Sequence, residues 1–238
     1  ISTAFFPKLT EDIGDGNEEN FRQTFRSALR MIIWISMPVA IIAFFSRGYV
    51  VSFIKNSGDA KIASILGVLV LSIFCQSVFH IATRGFYARQ TTKTPLIISI
   101  VSVGFCIGLS ILLSNAGFGP EGLALAQSAS AALEITVLLA VQHISMKGQL
   151  LNKEFWQAMG KMIIASAISG AVAYSMTKFF PLLADDDSFF ITFPKFCLIA
   201  GTSMLSYLIA GYFLNISETR PIINKLKQIL FRNVSIKQ

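Results

Sequence analysis

Six long apolar runs, separated by short stretches that carry most of the charge, constrain this chain more than any other feature. Crossing the hydrocarbon core of a bilayer takes about 20 mostly apolar residues as a helix. The runs at about 29–51, 62–83, 96–115, 121–144, 160–180 and 190–213 reach that length. In lipid every backbone N–H and C=O must be satisfied inside the protein, which leaves helices and closed barrels as spanning structures. These runs lack the alternation of barrel strands and are about twice as long. The expected fold class is therefore all-α, a polytopic transmembrane helix bundle of about six spans.

Composition agrees. Hydrophobic residues make up 53% of the chain and charged residues only 14%, where a soluble domain carries about a quarter charged. The 21 phenylalanines are scattered along the sequence, as suits lipid-facing helices better than one compact core. The net charge of +7 sits at the ends of apolar runs and forms no continuous patch, which excludes nucleic acid as a partner and points to topology. Cys75, Cys106 and Cys197 each lie inside an apolar run, away from any CxxC or His, and read as small buried hydrophobes.

Basic residues distribute unevenly between the two sets of loops. Fifteen fall on one side (Lys8, Arg22, Arg26, Arg30, Arg84, Arg89, Lys93, Lys147, Lys153, Lys161, Arg220, Lys225, Lys227, Arg232, Lys237) and five on the other (Arg47, Lys55, Lys61, Lys178, Lys195). The sparse side also holds Asp185, Asp186 and Asp187, read as a solvated outer loop. Positive loops stay cytoplasmic, so both ends of this chain are expected inside, consistent with six spans. Residues 1–9 read as the tail of an apolar segment, and the chain as the C-terminal part of a larger protein.

Four regions follow: a cytoplasmic amphipathic segment at 1–28, a four-span part at 29–145, two additional spans within 146–213, and a basic cytoplasmic tail at 214–238. Asp15-Gly16-Asn17 before Glu18 and Glu19 marks a helix start, and Phe21, Phe25, Ala28 and Leu29 recur at helical spacing. The spacing predicts an amphipathic helix at the membrane interface. Arg30 and Arg47 are expected to snorkel at the ends of the first span, and Pro38 to kink it. Gly104-x-x-x-Gly108, the stripe Ala124, Ser128 and Ala132, and Ser166-x-x-x-Gly170 are expected to allow close helix contact.

Few residues can carry chemistry. Glu134 is an acid near the middle of an apolar run, where a carboxylate costs a few kcal/mol on insertion scales. It reads either as a proton, cation or head-group site, or as a protonated acid bonded to a neighbouring helix, with His80 as a candidate partner. Arg84, Arg89 and Lys93 cluster after the second span. They can hold an anionic head group such as a pyrophosphate, Arg bidentately, or simply anchor topology. The sequence holds no GxSxG, HExxH or P-loop, and its two histidines, His80 and His143, are far apart. The expectation is a non-enzyme without cofactor or metal.

One segment is more specific. Arg84-Gly85-Phe86-Tyr87-Ala88-Arg89-Gln90, followed by Lys93-Thr94-Pro95, resembles a loop of the MurJ/MviN-type lipid II flippases, in the multidrug/oligosaccharidyl-lipid/polysaccharide exporter superfamily. Ser2 to Leu9, Ala28-Leu29-Arg30 with Met37-Pro38, and Gly122 to Ala126 resemble other parts of the same family in order, over roughly residues 1–145. The resemblance implies spans nine to fourteen of fourteen: the second lobe of a two-lobe flippase, with two extra helices forming a groove for a lipid tail. Here that groove falls at about 160–213, with Phe179, Phe180, Phe189, Phe190, Phe193 and Phe196. It further implies alternating-access transport of the undecaprenyl-pyrophosphate-linked peptidoglycan precursor across the bacterial inner membrane. Membrane lipid, that precursor and an N-terminal lobe of the same protein are the implied partners. Arg84, Arg89, Lys93 and Glu134 are the substrate-binding candidates, and this part alone is expected not to flip lipid. Exporters of another polyprenyl-linked glycan or of small drugs, and a non-transporting membrane scaffold, are the alternatives.

Overall fold

The computed structural model describes residues 2–54, 59–182 and 189–220. Among them, regular structure is entirely helical: α1 (Ser2–Gly14), α2 (Glu18–Phe45), α3 (Arg47–Ile54), α4 (Ala60–Ala88), α5 (Lys93–Asn115), α6 (Gly119–Ser145), α7 (Lys153–Phe179) and α8 (Phe189–Phe213). Six of these, α2 and α4 to α8, are long and apolar enough to cross a membrane. The chain is a multi-pass membrane protein. Asp185 to Asp187, read from sequence as an outer loop, Lys55, and the residues beyond Arg220, read as a basic tail, lie outside the described residues.

Helix α2 is the spine. It packs against α4 on one side and α7 on the other, and also touches α1, α3 and α8. The α4–α5–α6 group and the α7–α8 pair meet through it and through α3, which packs on both α4 and α8; among the described residues α4 and α7 do not pack on each other. The start of α2 is capped by Asn17, whose Oδ1 accepts the Asn20 N–H at 3.1 Å, and Glu18 and Glu19 place negative charge on the first turn.

Two expectations for this region change. The amphipathic segment and the first span are one continuous helix that runs through Pro38, and the span ends at Phe45. There the Ser46 hydroxyl and N–H both return to the Ile42 carbonyl, and the chain restarts as α3. Phe21, Phe25, Ala28 and Leu29 do not face the interface either. All four are fully buried in a core shared with Leu9, Ile81, Leu138, Met146 and Leu150.

Apolar surface gives little drive for association between helices in lipid, so polar contacts mark the seams. Along α5–α6, Ser99 donates to Glu134 Oε1 (2.7 Å) and Ser102 to the Ser130 carbonyl (3.0 Å), with Cys106 Sγ 3.5 Å from Gln127 Oε1 further on. Ser128 joins α6 to the Val68 carbonyl of α4 (2.8 Å), and Ser169 joins α7 to the Ser203 carbonyl of α8 (2.8 Å). At Gly170 an added Cβ would lie 3.2 Å from both Ile41 and Phe45, so this glycine permits the α2–α7 approach. Gly104 and Gly108 behave differently. A Cβ at either meets nothing within 4 Å, because α5 turns its serine face, not its glycine face, to α6. Of the cysteines, Cys75 is buried, Cys106 half-buried and Cys197 exposed on α8, where an apolar side chain faces lipid as readily as protein.

The turn after α8 folds back onto α2. Arg30 forks onto Glu218, Nε to Oε1 at 2.6 Å and Nη2 to Oε2 at 3.2 Å, rather than snorkelling freely. Trp34 Nε1 donates to Thr219 Oγ1 (3.1 Å), and the Tyr207 hydroxyl donates to the Trp34 carbonyl (3.0 Å).

Candidate functional site

Candidate sites fall at three places, two of them marked by residues that sequence reasoning singles out. The first is the end of α4. Gln90 and Thr91 close this helix, with Gln90 at φ 57 and the Thr91 N–H reaching the Phe86 carbonyl at 3.0 Å. This left-handed stop is the usual helix C-terminal motif. It makes residues 89–92 a tight link and sets Arg84, Arg89 and Lys93 on one end of the bundle.

They do not converge on one point. Arg84 turns to α1: Nη2 lies 3.5 Å from Thr3 Oγ1, and the guanidinium sits over the Phe6 ring at 5.6 Å. Arg89 turns to α6 and α2: Nη1 donates to Ser145 Oγ at 2.8 Å, and the guanidinium stacks over Phe21 at 4.7 Å. Burial lowers the Arg89 pKa, Glu18 opposes that shift and Arg22 reinforces it. The side chain stays charged, as guanidinium does in proteins. Its Nε and Nη2, like both amide atoms of neighbouring buried Gln142, have no hydrogen-bond partner among the described residues. Lys93 is exposed on the first residue of α5.

Two further cations take a structural role that a reading by charge alone does not show. Arg26 donates from Nε to the Leu150 carbonyl (3.2 Å) and from Nη2 to the Gln149 carbonyl, and Arg22 bonds Gln149 Oε1 while pairing with Glu18 (3.3 Å) and Glu19 (3.4 Å). Together they clamp the link between α6 and α7, whose Met146 and Leu150 are fully buried. The available signal is their spacing, one turn apart and adjacent to the buried Phe21–Phe25 face.

The second place is Glu134, buried on α6 and bonded to Ser99 of α5. His80 stands at an exposed position on α4, with its ring edge-on to Phe79.

The third place is a cleft that sequence reasoning did not foresee. Because α4 and α7 both lean on α2 without touching, they leave a space of about 500 Å³ lined by Met37, Ile41, Phe45, Val70, Phe74 and Ile163, among others. Among the described residues, Ser166 is the only polar side chain on its wall. Such a cleft suits an alkyl or isoprenoid chain and offers almost nothing to a polar solute. Of the two extra C-terminal helices only α7 lines it. The Phe189, Phe193 and Phe196 rings instead gather around Phe53 of α3, and Phe179, Phe189 and Phe190 stand exposed.

Comparison with known proteins adds to this geometry. A family model described as "Lipid II flippase MurJ" matches residues 1–193. A protein of Vibrio cholerae named a probable lipid II flippase MurJ is 24% identical over 187 residues, covering 74% of this chain and 34% of that protein. One of the same name from Rhizobium tropici is 20% identical over 236 residues, covering 96% and 44%. Another from Haemophilus influenzae is 27% identical over 203 residues, covering 73% and 36%. The chain thus spans less than half the length of these relatives.

Proposed function

Because this chain belongs to the lipid II flippase MurJ family, we propose that it works as part of a flippase carrying the undecaprenyl-pyrophosphate-linked peptidoglycan precursor across the bacterial inner membrane. The substrate crosses chemically unchanged, and the chain acts as a transporter, not an enzyme. The observation that carries this reading is the apolar cleft between α2, α4 and α7, in a bundle whose α4 end bears Arg84 and Lys93. A polyprenyl tail and a pyrophosphate need those two environments, one dry and one cationic.

In this reading Arg84, half-buried beside α1, and exposed Lys93 meet the anionic head group. Arg89, engaged by Ser145 and Phe21, holds the ends of α4, α6 and α2 in place beside them. Glu134 with Ser99 serves as a proton or cation coupling point, since an intramembrane carboxylate is costly to keep. The basic loops face the cytoplasm. An N-terminal lobe supplies the other wall of a midplane cavity, and rocking of the lobes alternates access.

Depletion and rescue test this directly. In cells depleted of their own flippase, the full-length protein should restore growth and rod integrity, residues 1–238 alone should not, and Arg84→Ala with Lys93→Ala should restore it weakly at normal protein level. Failure of the wild-type full-length protein, despite insertion at normal level, would favour the scaffold reading instead.

A further inference from the structure

A second cavity opens at the other edge of the bundle, where α2, the start of α7 and the turn after α8 meet. It measures about 240 Å³ and is lined by Arg30, Glu154, Gln157, Lys161, Asn215 and Ser217, with Ala158 and Ile216 completing the wall. Glu154, Gln157, Ala158 and Lys161 stand at i, i+3, i+4 and i+7 of α7, so one helical face supplies half of the lining.

Its charge pattern is distinctive. Arg30 is already neutralised by its fork onto Glu218. Among the described residues, neither the Glu154 carboxylate nor the half-buried Lys161 ammonium has a hydrogen-bond or ion-pair partner. The cavity therefore offers one unpaired anion and one unpaired cation, about 10 Å apart along the helix axis. Gln157 lies between them, and the Asn215 and Ser217 side chains lie on the facing wall. A simple anion would satisfy Lys161 and be repelled by Glu154. A simple cation would meet the reverse.

We propose that this cavity binds the zwitterionic head group of a bilayer phospholipid with a primary amine, phosphatidylethanolamine in chemical class. The phosphate takes Lys161 and the neighbouring amides. The ammonium donates hydrogen bonds to Glu154, which a trimethylated amine cannot do. The size fits: the space of about 240 Å³ has room for a phosphoethanolamine head group. Depth fits as well. Trp156, exposed beside Glu154 and Gln157 in the first turn of α7, marks the interfacial belt where head groups lie. A bound lipid here would brace the post-α8 turn against α2 and α7, away from the apolar cleft.

Native mass spectrometry of the full-length protein with phosphatidylethanolamine, phosphatidylglycerol and phosphatidylcholine at equal concentration reads this out. Wild type should retain phosphatidylethanolamine about tenfold over phosphatidylcholine, the scale of one charge-assisted hydrogen bond. Glu154→Gln should abolish that preference, and Lys161→Ala should lower retention of all three lipids, with thermal unfolding midpoints unchanged in both. Soluble glycerophosphoethanolamine should compete poorly. Full competition would overturn the assignment to a bilayer lipid. Preference for phosphatidylglycerol in the wild type, or an ethanolamine preference that survives Glu154→Gln, would overturn the site itself.

Discussion

Gly85 shows how much one residue decides in this bundle. It lies within the segment Arg84 to Gln90, and a Cβ there would lie 2.6 Å from Phe25 Cε2 and closer still to the Gln142 amide. Helices α2, α4 and α6 meet at this point, so no side chain fits without moving two buried neighbours. Gly85→Ala should cost about 1–3 kcal/mol as an overpacked contact, seen as a lower unfolding midpoint of the full-length protein in detergent. Phe25→Leu on the same chain should recover part of the loss. An unchanged midpoint for Gly85→Ala would mean that the three helices part here at no cost. Glu134 permits a cleaner separation of structure from function. Glutamine keeps a carbonyl oxygen for the Ser99 hydroxyl but removes the titratable group. Glu134→Gln should therefore insert and unfold like the wild type, yet fail in depletion rescue. Normal growth would make the Ser99–Glu134 contact a structural bond only.

At the scale of elements, the clamp between α2 and the turn after α8 is the most exposed to test. Glu218→Ala strips the partner from a half-buried Arg30 and should cost about 1–3 kcal/mol, between the values for surface and buried pairs. Arg30→Ala with Glu218→Ala should lose less than the sum of the single changes, because the double variant strands no charge. Thermal unfolding of the four proteins gives the coupling; additivity would mean that the fork contributes nothing.

Span number and length were legible in the sequence because hydrocarbon thickness imposes a length and charges mark its ends. Which face of each helix meets protein was much less so. Around an apolar helix the pattern is nearly the same whether a side faces lipid or a neighbour, so Gly104 and Gly108 read as a packing face while Ser99 and Ser102 in fact provide it. For the same reason Phe21 and Phe25 looked interfacial and proved to be core. Arg22 and Arg26 count equally in any tally of loop charge, yet their donors are spent on the Gln149–Leu150 backbone and side chain, a distinction that only folding reveals.

For the whole molecule, the cleft arises from an arrangement no local pattern encodes: α4 and α7 each pack on α2 and stay apart. That independence makes the space testable without breaking the fold, since filling it removes no helix contact. Ala167 lines it from α7, and the next residue, Ile168, is exposed on the outer surface. A tryptophan adds on the order of 200 Å² of apolar surface, enough to occupy much of the gap. Ala167→Trp in the full-length protein should insert and unfold normally but rescue depleted cells poorly, whereas Ile168→Trp, with the same bulk turned to lipid, should rescue fully. The contrast between neighbours isolates the cleft from any general intolerance of α7 to a large side chain. If both variants support growth equally, the apolar space is only a packing gap, and the substrate's isoprenoid chain must travel elsewhere in the complete protein.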